Sequence, residues 1–104
     1  MTNSRIESLR ALVEKNPNNP LGRYGLANEH FKLGSYEEAV AEVKKYLELK
    51  DDEGAAYRIL AEALLRLGRT EEAKDAYREG IASAERHGHP GMAEEFEEAI
   101  KLID

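Results

Sequence analysis

The amino-acid sequence predicts an all-α fold, about six helices stacked as hairpins into a solenoid, and three observations carry that reading. Strand signals are nearly absent: β-branched residues are sparse, and no apolar/polar alternation survives among the helix formers Ala, Leu, Glu, Lys and Arg. Glycine and proline punctuate the chain at helix-length intervals. A fixed offset also superposes one hairpin-sized stretch on the next, the mark of a repeat architecture.

Taken in order, Asn3 or Ser4 is placed to cap a first helix whose apolar residues Ile6, Leu9, Leu12 and Val13 fall at helical spacing. The run Asn16-Pro17-Asn18-Asn19-Pro20 ends it. A second helix, Leu21 to Leu33, carries Leu26, Ala27, His30 and Leu33 on one face and stops at Gly34, which suits a left-handed position just past the last turn. Ser35 caps a third helix, with Glu37 and Glu38 in the first turn where the helix dipole favours them and Ala39, Val43, Tyr46 and Leu47 as its stripe. Asp51, Asp52 and Gly54 break it. Tyr57, Leu60, Ala61, Leu64 and Leu67 then make a fourth helix ending at Gly68, and Thr70 caps a fifth with Glu71 and Glu72 in its first turn. Ala73, Tyr77, Gly80, Ile81 and Ala84 line the fifth helix, which stops at the run His87-Gly88-His89-Pro90-Gly91. The sixth has Ala93, Phe96, Ile100 and Ile103 inward and Glu94, Glu95, Glu97 and Glu98 largely outward, the composition of a cap.

The offset is 68 − 34 = 34 residues between Gly34 and Gly68. It also pairs Leu26 with Leu60, Ala27 with Ala61, Leu33 with Leu67, and Glu37, Glu38 and Ala39 with Glu71, Glu72 and Ala73. These identities sit where helices pack or turn. In them the sequence resembles the tetratricopeptide-repeat family, whose unit is a helical hairpin of about 34 residues with the pattern W-x2-L-G-x2-Y, then A-x3-F, then P. Arg23-x2-Leu26-Ala27-x2-His30 with Ala39-x3-Val43 is the first copy, and Tyr57-x2-Leu60-Ala61-x2-Leu64 with Ala73-x3-Tyr77 the second. Arg23, His30 and Asp51 depart from the aromatic, Tyr and Pro of the pattern, and Tyr46 stands where a small residue normally faces the next repeat. The resemblance implies a right-handed solenoid and divides one domain, 1–104, into an N-terminal half-repeat helix (1–19), repeat one (20–53), repeat two (54–87) and a capping helix (88–104). It resembles small stand-alone bacterial members of the family.

Composition bounds the function. A chain of 104 residues supports one core, and 41% hydrophobic with 35% charged residues is too apolar for disorder. The absence of cysteine excludes disulfides, thiolate metal sites and cysteine nucleophiles, and a net charge of −6 argues against a nucleic-acid binder. Met1 to Arg10 lacks the apolar stretch of a signal peptide and no stretch is long enough to span a bilayer, so a cytoplasmic location without membrane insertion is expected.

Chemistry-bearing motifs are scarce. No P-loop, dinucleotide fingerprint or zinc-protease motif occurs; His87-x-His89 reads as a turn before a metal pair, His30 as a packed histidine before a general base, and the Glu94 to Glu98 run as a solvated face. No enzyme activity and no cofactor are expected. The resemblance implies a concave face built from the first helix of each repeat, holding Leu21, Tyr24, Asn28, Phe31 and Lys32 from the first and Ala55, Arg58, Glu62, Leu65 and Arg66 from the second. Those residue types are enriched at binding hot spots, and their charge, Lys32, Arg58 and Arg66 against Glu62, is opposite in sign to the whole chain. The family's carboxylate clamp for C-terminal tails is matched at Asn28 but not at Tyr24 or Ile59. The expectation is an adaptor that holds an acidic and apolar peptide or a partner's helix in this groove, with self-association, a homodimer included, as the alternative.

Overall fold

A computed structural model describes residues 4–103, and all six expected helices are present. They are α1 (Ser4–Lys15), α2 (Pro20–Lys32), α3 (Tyr36–Leu49), α4 (Ala55–Arg66), α5 (Thr70–Arg86) and α6 (Pro90–Ile103). Asn3, the alternative first cap, lies outside the described residues. No helix among them is long and apolar enough to cross a membrane.

The turns inside and after the hairpins follow one design. Gly34, Gly68 and Gly88 have φ of +79°, +75° and +75°, the left-handed region that costs glycine little. Around each, the following amide reaches back five residues, Ser35 N to His30 O, Arg69 N to Leu64 O and His89 N to Ala84 O, satisfying carbonyls that the helix end leaves open. Helix starts are less uniform. Asn19 caps α2 by accepting from Leu21 N, with Pro20 as the first helical residue, one position earlier than the sequence pattern placed it. Ser35 makes no side-chain capping bond, and Thr70 is not a cap at all: Arg69 holds that position and Thr70 opens the helix.

Each helix packs on its neighbour in the chain, and α2 also touches α4, as stacked hairpins require. Ala27 of α2 and Ala39 of α3 in one hairpin, and Ala61 of α4 and Ala73 of α5 in the next, are all fully buried, and small side chains at such positions let packed helices approach closely. Val43, Leu60, Leu64, Tyr77 and Phe96 fill the space around them. Gly80 serves the same end, because a Cβ there would lie 2.8 Å from the Phe96 ring and 2.9 Å from Tyr57. Ile6, Val13 and Leu26 form a smaller cluster under α1 with Leu9 against it. Leu12, placed on that stripe by spacing, is instead exposed; among the described residues α1 packs mainly on α2.

The least anticipated feature is the α3–α4 linker. Asp52, expected only as a helix breaker, is buried and its carboxylate accepts three hydrogen bonds: Tyr46 Oη at 2.8 Å, Gly54 N at 2.7 Å and Ala56 N at 2.9 Å. It does the work of a cap for α4, whose first residue follows Gly54 at φ +134°. Its backbone carbonyl accepts from Ser83 Oγ of α5. Tyr46, too large for its repeat position, is thus accommodated by giving its hydroxyl a buried acceptor.

Candidate functional site

The face carried by α2 and α4 is where the sequence places a binding surface, and the structure divides its residues into three groups. Leu21 stands 75% exposed at the start of α2. Tyr24 is half-buried with its ring 5.0 Å from that of Tyr46, so it leans on the hairpin as well as lining the face. Asn28, Glu62 and Leu65 are half-buried, and Asn28 makes no side-chain hydrogen bond among the described residues.

A second group gathers at the C-terminal end of the first helices. Phe31 meets Tyr36 edge-to-face with centroids 5.4 Å apart, and the Arg66 guanidinium lies 5.8 Å from the Tyr36 centroid with Nη1 at 3.4 Å from the hydroxyl. Lys32 Nζ is 3.4 Å from Glu29 Oε2, and Arg5 Nε approaches the same oxygen at 3.2 Å. Tyr36 and Glu29 were not singled out from the sequence. Tyr36 belongs to α3, and only the fold shows that its first turn reaches α4.

Arg58 forms the third group alone. Its Nε and Nη2 donate to Glu95 of α6 at 2.8 and 2.9 Å, and its guanidinium lies 5.4 Å from the Phe96 centroid. The bond to Glu95 raises the guanidinium above its usual range. Glu95 is therefore not merely a solvated glutamate, and the positive count assigned to the face from sequence is partly neutralised from within: Arg58 has Glu95, and Lys32 has Glu29. Arg66 alone of the three keeps no carboxylate within ion-pair distance among the described residues.

The histidines take separate partners. His87 Nε2 is 3.0 Å from Asp51, which also binds Arg86 at 2.7 Å, and His89 Nε2 is 2.9 Å from Glu53. Arg86 first and His87 with it hold the Asp51 carboxyl below the usual carboxylate range, as His89 does for Glu53. Both pairs tie the α3–α4 linker to the turn before α6, and no group of three or more metal-capable side chains forms among the described residues. His30 is buried with Nδ1 unpartnered, at a packing position between helices. A depression lined by Glu85, Pro90, Ala93, Glu94, Glu97 and Glu98 lies between α5 and α6, away from the α2–α4 face.

Comparison with known proteins agrees with this architecture. The family model described as Tetratricopeptide repeat matches residues 6–53 and 24–87. A TPR repeat-containing protein of Pseudomonas aeruginosa is 26% identical over 99 residues, 95% of this chain and 94% of that one. Small glutamine-rich tetratricopeptide repeat-containing protein 2 of Mycosarcoma maydis is 32% identical over 76 residues, 73% of this chain, which spans only 22% of that protein. Among solved structures, a tetratricopeptide repeat domain protein from Salinibacter ruber matches with a TM-score of 0.75 and 31% identity over 86% of this chain and 90% of its own. A Bordetella parapertussis protein matches with 0.82 over 99% of this chain and 89% of its own; at 20% identity it shows likeness of fold.

Proposed function

Since the chain belongs to the tetratricopeptide repeat family, whose domains generally serve as protein-protein interaction modules, we propose that it is a noncatalytic adaptor that holds a peptide segment or a partner's helix against the α2–α4 face. The observation that carries this reading is the juxtaposition on neighbouring helices of Tyr24, Asn28 with its free amide, Phe31 and the carboxylate-free Arg66. A binding face needs aromatic area that costs little rotamer entropy, a group that can pair with backbone, and a charge that desolvation strengthens. The half-repeat, two repeats and capping helix read from the sequence would then act as one domain in the cytoplasm.

A second reading rests on Leu102, which is 85% exposed on α6: that helix would meet a second copy of the chain. Affinity capture from the source cell, followed by calorimetry of the captured partner's minimal peptide against wild type, Tyr24→Ala and Asn28→Ala, tests the first reading. Unchanged affinity in both variants rejects it. Light scattering that gives a dimer, lost in Leu102→Glu, supports the second.

A further inference from the structure

The contacts at the C-terminal end of the first helices form one continuous strip. Arg5 and Lys32 share a Glu29 oxygen, Phe31 stands beside Lys32 in the chain and packs on Tyr36, and Tyr36 carries the Arg66 guanidinium. The strip holds three cations against one buried acid, a local excess of positive charge on a chain of net charge −6. Arg5 and Lys32 remain 69% and 71% exposed, so their charges face water and incoming ligand alike. Leu33, next to Lys32, is 56% exposed, whereas Leu67 at the same place in the following hairpin packs on the core. Two acids lie near the strip's ends: Glu37 is drawn to Arg69 at 3.3 Å, and Glu62 sits one turn before Arg66, where its field acts on Arg58 and Tyr77.

We propose that this strip is the acid-reading end of the groove, docking a peptide segment in polyproline-II conformation that carries carboxylates three residues apart with apolar side chains between them. The proposal rests on the adaptor reading and adds a ligand chemistry to it. Lys32 and Arg66 are repeat equivalents, 66 − 32 = 34 residues apart, at the last turns of two helices in contact. Packed helix axes lie about 8–10 Å apart, and a polyproline-II chain advances about 3.1 Å per residue with every third side chain on the same face, so acidic residues at i and i+3 of the ligand span the pair. The side chains between them meet Phe31, Tyr36 and Leu33. Favourable placement of cations at helix C-termini accounts for Lys32 and Arg66 without a ligand, and Glu29 accounts for Arg5, but neither accounts for the exposed Leu33 beside them.

The test uses the full chain and a fluorescein-labelled peptide of Glu, Leu and Phe with its glutamates three apart, beside the same peptide with every Glu replaced by Lys. Anisotropy titrations should show the acidic peptide binding and weakening as salt rises, and the lysine peptide failing to bind. Lys32→Gln and Arg66→Gln should each weaken binding by about threefold to tenfold, the double variant further, and Arg78→Gln on α5 not at all, with circular dichroism confirming the fold of each. Equal binding of both peptides, no binding of the acidic one, or indifference to Lys32 and Arg66 would overturn the proposal. If Tyr24→Ala and Asn28→Ala weaken binding while Lys32→Gln and Arg66→Gln do not, the groove stands and the strip falls. The reverse pattern keeps the strip and removes the wider groove. A dimer seen by light scattering without peptide, and dispersed by Arg66→Gln, would make a second copy the occupant and also overturn it.

Discussion

Replacing Asp52 by alanine removes the acceptor for two amides at the start of α4 and for a buried tyrosine hydroxyl. Loss of a helix cap costs about 0.5–2 kcal/mol, and leaving a buried hydroxyl unpaired costs about 1–3 kcal/mol. Because one carboxylate serves both, the terms are not independent, and we expect about 3 kcal/mol in total. For a domain of this size that lowers Tm by roughly 10–20 °C. Asp52→Asn should be milder, about 1 kcal/mol, since the amide oxygen can still accept from Gly54 and Ala56 while the amide nitrogen donates to a rotated Tyr46 hydroxyl; what is lost is charge at a helix N-terminus. The assay is urea denaturation followed by far-UV circular dichroism, with Asp51→Asn as the exposed neighbour and m required to stay constant. The order expected is wild type and Asp51→Asn nearly together, Asp52→Asn below, and Asp52→Ala lowest. If Asp52→Ala unfolds at the same midpoint as Asp51→Asn, the linker carboxylate contributes nothing and the network is geometry without energy.

Gly80→Ala should destabilise by about 1 kcal/mol even though alanine favours helix, because overpacking against Phe96 and Tyr57 outweighs the propensity gain; Gly91→Ala, which meets no neighbour, should be neutral or stabilising in the same melts. Burial raises the hydroxyl pKa values of Tyr46, Tyr57 and Tyr77, with Asp52 adding to the effect at Tyr46. Stability from these groups is full below the unfolded tyrosine value of about 10 and falls as pH rises past it, since only the unfolded chain ionises freely there. Urea midpoints that hold steady above that pH while tyrosinate absorbance grows would contradict the burial argument. A double-mutant cycle with Arg58→Ala and Glu95→Gln should give a coupling of about 0.5 kcal/mol, the range of exposed pairs, and a coupling of zero would mean that Phe96 packing alone seats α6.

Much of the fold was legible because it is written locally. Gly34 and Gly68 mark left-handed turns whatever surrounds them, and Ala27, Ala39, Ala61 and Ala73 announce close approach by size alone. The binding face was legible as a set of positions, not as a state of charge. Arg58 reads as an available cation until α6 is folded against α4 and brings Glu95 within 2.8 Å. Asp52 reads as a breaker because its role is completed by Tyr46 before it and Ser83 far beyond it, and only the tertiary fold joins them. Leu33 and Leu67 are the same residue at the same repeat position, yet one is exposed and one packed. Periodicity reports the face of a helix, not what lies opposite.

The residues that lock the first hairpin to the second are also the ones the repeat does not repeat. Shifted by one period, Tyr46 falls on Gly80, Asp52 on Arg86, and Ser83 back on Leu49. A duplicated second hairpin stacked on itself would therefore bring a glycine where the tyrosine should donate and an arginine where the carboxylate should receive. The array is modular in outline but keyed at its one internal joint. Lengthening it by copying either unit would need the key recut, whereas a spliced-in hairpin that carried Tyr, Asp and Ser at those three places would fit at once.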